Sequence, residues 1–176
     1  MTEAEQEQWR DRFRRHWQDG VAFNKACGIT VRRWDPDGVE LHLPFRDALG
    51  AHPGVFHGGV IAALIDTAGC GAVAAGHDYD RGSRITTVAL AVQYFTVDPG
   101  QGVIAVARCT RRGRQINYAE VTVRSEAGKD LARGLVTVSA SGTRELDGRR
   151  SAEEVDHRGA GALGQHLPGL GEMGAP

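Results

Sequence analysis

The N-terminal part of the chain repeats large aromatic side chains at helical spacing. Trp9, Phe13 and Trp17 fall four residues apart and so share one stripe of a helix. Thr2 precedes them where a capping residue is expected. This pattern predicts a helix over residues 1–20 that uses its aromatic stripe to cover a sheet or an opening.

Beyond Gly28, apolar residues recur at every second position instead of at helical spacing. Val39, Leu41 and Leu43 alternate with polar residues, which is typical of a strand with one buried face. Residues 46–57 are expected to form an irregular loop. Six strands are predicted, at residues 29–34, 39–45, 85–96, 102–111, 115–125 and 130–140. Short turns separate the later strands, so consecutive hairpins in an antiparallel sheet are expected.

Residues 58–75 form one apolar run in which Asp66 is the only charge. The run is shorter than the ~20 residues of a membrane span, and it predicts a helix buried on nearly every side. We therefore expect an α+β fold. In it an antiparallel sheet wraps around one long buried central helix, and the N-terminal helix serves as a cover.

Charge and cysteine content narrow the classes of function. Lys and Arg total 21 against 22 Asp and Glu, which argues against a nucleic-acid partner. The three cysteines show no disulfide or zinc spacing, the histidines show no metal-ligand spacing, and the charged N-terminus lacks a signal peptide's apolar segment. We expect a cytoplasmic protein without membrane association or metal. Residues 21–140 should form one domain, and the Gly-rich residues 141–176 a disordered tail.

Asp66 is the residue that does not suit a buried helix, because an unpaired carboxylate is costly there. The neighbours on its helical face are all small: Gly59, Ala62, Ala63, Gly69 and Cys70. Asp66 therefore stands over a low strip that another backbone or a slender substrate can approach. It either bonds a partner's backbone or hydroxyl group across this strip or works as a base.

The helix begins at His57-Gly58-Gly59. Two glycines leave backbone N–H groups unshielded at the positive end of the helix dipole, which suits an oxyanion or a polarised carbonyl oxygen. The alternative is a tight turn that needs glycine geometry. Gly58 and Asp66 lie eight residues apart, about 12 Å along the helix, so one carbonyl cannot touch both. If both act, they come from different subunits of a two-fold dimer with two composite sites.

The residues at this point carry a resemblance to a known family. The run HGGVIAALIDTAGCGAVAAG resembles the signature of the hotdog-fold thioesterases, particularly the phenylacetate-pathway and 4-hydroxybenzoyl-CoA types. Two further segments, TTVALAVQYFTVDPG and VARCTRRGRQINYAEVTVRSEAGKDLARG, fall at the family's positions. The resemblance covers residues 25–140 and implies a hotdog fold for the domain.

The resemblance also implies roles for individual residues. Asp66 would attack the thioester or activate water, and the Gly58 N–H of the opposite subunit would polarise the carbonyl. Thr87 matches a position where a hydroxyl orients water, and Cys70 one where relatives place a helper hydroxyl; Cys70 is otherwise plain packing.

Several residues around these are expected to contact substrate. Gly59 and His57 flank the site of the substrate carbonyl. We expect His57 to cap the helix and not to act as a base. Relatives carry an Asn or Gln in the preceding loop, where this chain has His52 as the only candidate substitute. Arg111, Arg112 and Arg114 are either a solvated hairpin tip or a phosphate clamp for coenzyme A.

The predicted function is hydrolysis of an acyl-CoA thioester, without a cofactor, by a homodimer or a dimer of dimers. One alternative is a module that binds acyl-CoA without cleaving it. Another is a hotdog dehydratase or hydratase that uses His57 and Asp66 on one acyl chain. A carrier-protein thioester could replace free acyl-CoA, and the arginine loop would then meet a protein partner.

Overall fold

The computed structural model describes residues 1–36 and 38–142. The N-terminal segment comprises α1 (Glu3–Arg15), a π-helical stretch (His16–Gly20) and α2 (Ala22–Cys27). The remaining elements are β1 (Thr30–Asp35), β2 (Gly38–Leu43), β3 (Gly50–His52), β4 (Val55–Phe56), α3 (Gly58–Ala75), β5 (Arg84–Tyr94), β6 (Val103–Arg112), β7 (Ile116–Ser125) and β8 (Asp130–Ser141). The tail predicted at residues 141–176 lies, from residue 143 onward, outside the described residues.

Six strands form one antiparallel sheet in the order β1-β2-β6-β7-β8-β5. The expectation of consecutive hairpins is wrong for β5, which pairs with β8 and not with β6. The segment that joins β5 to β6 crosses the end of the fold, where Gly100 N donates to Gly54 O at 2.8 Å. As a result β5 forms one edge of the sheet, next to the strand that ends the domain.

The sheet curves around α3, whose bounds are those predicted from the apolar run. Most strand residues that face α3 are Ala or Val, with Leu at positions 41, 43 and 131, and Gly134 lies beneath Ile65. A Cβ on Gly69 would lie 2.5 Å from Val136, so glycine is required for this close approach of helix and sheet. Although α3 is apolar and long enough for a membrane span, most of it is buried in this fold, as in the core helix of a globular protein.

Only the C-terminal half of α3 is buried on nearly every side. Every residue from Ala68 to Ala75 is buried, whereas Gly58 and Gly59 are exposed and Asp66 is half-buried. The prediction of a helix buried on nearly every side is confirmed for the C-terminal half, whereas one strip of the first half is open although Ile61, Leu64 and Ile65 are buried. In a single protomer, nothing among the described residues covers the strip that carries Asp66.

The N-terminal helix covers the other end of α3. Thr2 caps this helix as predicted, and it forms a capping box with Glu5, because the two residues hydrogen bond reciprocally. Phe13 is buried against Tyr79 with ring centroids 5.0 Å apart, and Trp17 donates its indole N–H to Thr67 O at 3.2 Å. The aromatic stripe thus packs along the C-terminal half of α3 and leaves the first half open.

The segment before α3 is more ordered than predicted. Residues 46–57 contain a 3₁₀ turn (Asp47–Leu49) and the β3–β4 hairpin, in place of an irregular loop. His57 N donates to Leu49 O at 2.9 Å, which fixes the end of this segment to the start of α3. The short α2 was also absent from the sequence prediction, because six residues carry too little periodicity to identify a helix.

Candidate active site

Asp66 lies in a hydrogen-bonded chain with two residues that the sequence analysis named. The Thr87 hydroxyl, on β5, donates to Asp66 Oδ1 at 2.7 Å. Cys70 Sγ, one helical turn beyond Asp66, lies 3.1 Å from the same hydroxyl oxygen. Because a hydroxyl has one proton and Thr87 gives it to the carboxylate, the Cys70 thiol must be the donor to Thr87.

The environment of Cys70 keeps its thiol protonated. Burial raises the pKa of Cys70 to about 11, so the S–H proton is present at neutral pH. The chain therefore runs from Cys70 S–H through the Thr87 hydroxyl to Asp66. This chain of hydrogen bonds engages Oδ1 of Asp66 and holds the Asp66 side chain in one orientation.

The second carboxylate oxygen of Asp66 is available. Among residues 1–36 and 38–142, Oδ2 has no hydrogen-bond partner, and Asp66 is half-buried on the open strip of α3. Ala62 and Ala63, one turn before it, are half-buried as well. The strip thus leaves room for a water molecule or a carbonyl carbon next to a carboxylate of fixed orientation.

The first turn of α3 presents one backbone donor. His57 Nδ1 accepts a hydrogen bond from Gly59 N at 2.9 Å, so His57 is the N-cap. His57 O accepts from Val60 N at 2.9 Å, which fixes the peptide that carries the Gly58 N–H. In the part of the chain that the structure describes, that N–H has no acceptor, and Gly58 is exposed. The helix start therefore holds a free, fixed donor at the positive end of the dipole.

Tyr94, at the end of β5, also holds this turn. Its hydroxyl donates to Gly58 O at 2.8 Å, so both ends of the peptide between Gly58 and Gly59 are fixed. This contact has no counterpart in the sequence-based predictions, because it depends on the register that places the end of β5 beside the start of α3. An aromatic residue near the end of a strand gives no sequence signal of its own for such a contact.

His52 lies in the hairpin that precedes α3. It occupies β3, is exposed, and its side chain makes no hydrogen bond among the described residues. The role predicted for it, assistance at the carbonyl, stays a prediction.

The three arginines expected to bind coenzyme A do not share one position. Arg111 and Arg114 are exposed and line one shallow hollow beside Tyr118. Arg112 instead reaches the C-terminal end of α3, where its guanidinium donates to Val73 O at 2.9 Å, Ala72 O at 3.0 Å and Pro36 O at 2.9 Å. Since α3 has no basic residue in its last turn, Arg112 satisfies its free carbonyls from outside. The coenzyme A role of the three arginines stays a prediction, and in this structure Arg112 already bonds backbone carbonyls.

Arg112→Ala is expected to lower the free energy of unfolding by about 1–2 kcal/mol, because the charged donor of these bonds is lost at a partly exposed site. Urea denaturation measures the change. Arg111→Ala is the matched control and should unfold within ~0.5 kcal/mol of the wild type. Equal stability of the wild type and Arg112→Ala would contradict the capping role.

The edge of the sheet beside Asp66 is apolar and unpaired. Val88, Leu90 and Tyr94 of β5 are all exposed, and among the described residues β5 has a strand on one side only. A long apolar edge strand is a surface that proteins normally cover. This edge adjoins the open strip of α3, because Thr87 of β5 bonds Asp66 directly.

Comparisons with known proteins agree with this architecture. The family model for the thioesterase superfamily matches residues 53–132, a range that contains Gly58, Asp66 and Thr87. A Shewanella oneidensis protein of known structure, described as related to that superfamily, superposes with a TM-score of 0.71 at 22% identity, over 78% of this chain and 99% of its own. The fold is therefore the predicted hotdog fold.

Two relatives are similar in sequence. The medium/long-chain acyl-CoA thioesterase YigI of Escherichia coli K12 is 26% identical over 131 residues, which cover 66% of this chain and 84% of YigI. A Halobacterium salinarum protein provisionally named an esterase is 33% identical over 100 residues, or 54% of this chain and 65% of that protein, just under two thirds of its length. These similarities support thioester hydrolysis in general.

Proposed function

We propose that this chain hydrolyses an acyl-CoA thioester to the free acid and coenzyme A in the cytoplasm. The observation that carries the proposal is the state of Asp66: Thr87 holds one carboxylate oxygen, and the other is free on an open strip. A carboxylate fixed in this way can act on a carbonyl carbon or on water without first reorganising.

The reaction requires a donor at the thioester oxygen, and the Gly58 N–H is our candidate. The peptide that carries this N–H is fixed, and the N–H has no acceptor among the described residues. The helix dipole favours the negative charge that develops on the thioester oxygen. Because Gly58 and Asp66 of one helix lie about 12 Å apart, the site combines Gly58 of one subunit with Asp66 of another.

A homodimer follows from this requirement. Two copies that join at β5 and at the open strip of α3 would cover the exposed Val88 and Leu90 and form two equivalent sites. A dimer of dimers can be built from the same unit. Sedimentation equilibrium on the full chain measures the mass of the assembly and so distinguishes a monomer, a dimer and a dimer of dimers.

Two routes lead from the complex to products. In the first, Asp66 attacks the carbonyl carbon, the thiolate leaves, and water hydrolyses the resulting anhydride. In the second, Asp66 takes a proton from water as that water attacks, and the thiolate leaves from the tetrahedral intermediate. Single-turnover hydrolysis in ¹⁸O-water separates them, since only the anhydride route places the label in the Asp66 carboxylate.

Acyl-CoA is the proposed substrate class for two reasons. The relative YigI is named as an acyl-CoA thioesterase, and Arg111 and Arg114 are exposed arginines without a carboxylate partner among the described residues. Guanidinium groups in that state suit the phosphates of coenzyme A. The aryl-acyl preference of the phenylacetate-pathway and 4-hydroxybenzoyl-CoA types is the finer form of this proposal.

One observation favours the alternative function, a module that binds acyl-CoA without cleaving it. His52, the candidate for the second carbonyl donor of relatives, is exposed in the β3–β4 hairpin, and its side chain makes no hydrogen bond among the described residues. A dehydratase is less well supported, because His57 Nδ1 is engaged as the helix cap.

Thiol release from aryl- and fatty acyl-CoAs tests the proposal. Binding without release by the wild type would favour the module.

Thr87→Val is expected to lower kcat about 10-fold, because Asp66 loses the bond that orients it and the Cys70 thiol loses its acceptor. Thr87→Ser keeps the hydroxyl and should restore most of the rate. KM should change little in either variant. A Val variant as active as the Ser variant would show that this hydroxyl does not position Asp66.

A further inference from the structure

An apolar cavity of 230 Å³ lies beside the start of α3. Its walls come from four elements of the fold and include Phe56, Ile61, Tyr94, Val97 and Leu131. Ile61 and Leu131 are buried, whereas Tyr94 and Val97 are about half exposed and so form the mouth. The cavity is therefore anchored in the core and open at one side.

The position of the cavity relates it to the free backbone donor. Gly58 is one of its lining residues, and the Tyr94 ring covers Gly58 at ordinary contact distance. A substrate carbonyl that accepts a hydrogen bond from the Gly58 N–H therefore lies next to this apolar cavity. The inference that follows rests on the proposed function, because it assigns one half of the same substrate.

We infer that this cavity is the subsite for the acyl group, and that it admits a medium-length chain or an arylacyl group. The pantetheine half of the substrate carries two amides, which would be desolvated without partners against mainly apolar walls. An acyl chain loses nothing there and gains by the burial of its surface.

The volume sets an upper limit on the acyl group. A cavity of about 150 Å³ holds benzene, or roughly 25 Å³ per carbon. On that scale 230 Å³ holds about nine carbons. Octanoyl and phenylacetyl groups fit this limit. A decanoyl group fits when its carbonyl carbon stays outside the cavity at the Gly58 N–H, and a hexadecanoyl group exceeds it.

Val97 offers the sharpest test, because bulk added at the half-exposed mouth narrows the cavity without disturbing the core. We would measure kcat/KM for acyl-CoAs from acetyl to hexadecanoyl and for phenylacetyl-CoA. Wild type should prefer chains of about eight to ten carbons. Val97→Trp should shift the optimum to shorter chains and lower the decanoyl-to-butanoyl ratio by ~10-fold or more. The matched control, Leu135→Trp, introduces the same side chain at an exposed position on the face of the sheet away from α3 and should keep the wild-type profile.

A profile that Val97→Trp leaves unmoved, or a wild-type optimum at hexadecanoyl, would overturn the assignment. Binding of the same series to Asp66→Asn by calorimetry reads the subsite without turnover. If no acyl-CoA is cleaved but affinity still peaks near decanoyl and Val97→Trp removes the peak, the subsite stands and the proposed hydrolysis fails. If cleavage occurs without this dependence on chain length, the subsite alone fails.

Discussion

Asp66→Asn lowers kcat for acyl-CoA hydrolysis by ~100-fold or more in the mechanism proposed here. The amide can neither attack the carbonyl carbon nor take a proton from water. The substitution is nearly isosteric, and the amide oxygen can still accept from the Thr87 hydroxyl, so the fold should be kept. Thiol release from one acyl-CoA, measured beside the wild type, gives the ratio.

Asp130→Asn is the matched control, since among residues 1–36 and 38–142 the Asp130 side chain bonds only Arg124 and Arg133 at the surface. It should match the wild type in rate and differ in stability by no more than ~1 kcal/mol. Each variant needs a check of its assembly state, because a monomer would be inactive for another reason. An Asp66→Asn dimer that keeps more than about a tenth of the wild-type rate contradicts the assigned role.

Gly58→Pro is expected to lower kcat by about 10²–10³-fold, because proline removes one backbone N–H at the proposed oxyanion site. The position tolerates proline unusually well. Gly58 is the first residue of α3, where proline is favoured, and His57 has φ −61° and ψ 134°, the conformation preferred before proline. The loss should therefore report the missing donor and not an unfolded helix.

Gly58→Ala is the control that keeps the N–H. A Cβ at this position would lie 3.7 Å from the Tyr94 ring, which is ordinary contact, so the alanine variant should stay within a few-fold of the wild type. Equal rates for the proline and alanine variants would show that the Gly58 N–H does not stabilise the transition state.

The elements that sequence predicted well carry a strong local signal. The apolar run fixed α3 because only one stretch of the chain combines that length with so little charge, and strong alternation placed β2 and β7 within a few residues. The family resemblance selected Thr87 as a site residue, but its hydrogen bond to Asp66 is visible only in the structure. Helical spacing explained why Cys70 joins them one turn later.

What sequence missed depends on tertiary register. Arg112 lies between two arginines of the same apparent role, and only the folded sheet shows that it alone reaches the end of α3. The bond from Tyr94 to Gly58 needs the pairing of β5 with β8, which the short turns along the chain did not suggest. Burial on all sides was also overestimated, because composition cannot show that one strip of α3 stays open in a single protomer.

Mixed dimers decide whether Gly58 and Asp66 act from different subunits. Asp66→Asn and Gly58→Pro chains would be co-expressed with different affinity tags and the heterodimer isolated through both. One of its two sites then combines an intact Gly58 with an intact Asp66, and the other has neither. We predict thiol release at about half the wild-type rate per dimer, although each parent homodimer is nearly inactive. A heterodimer no more active than its parents would contradict the composite site.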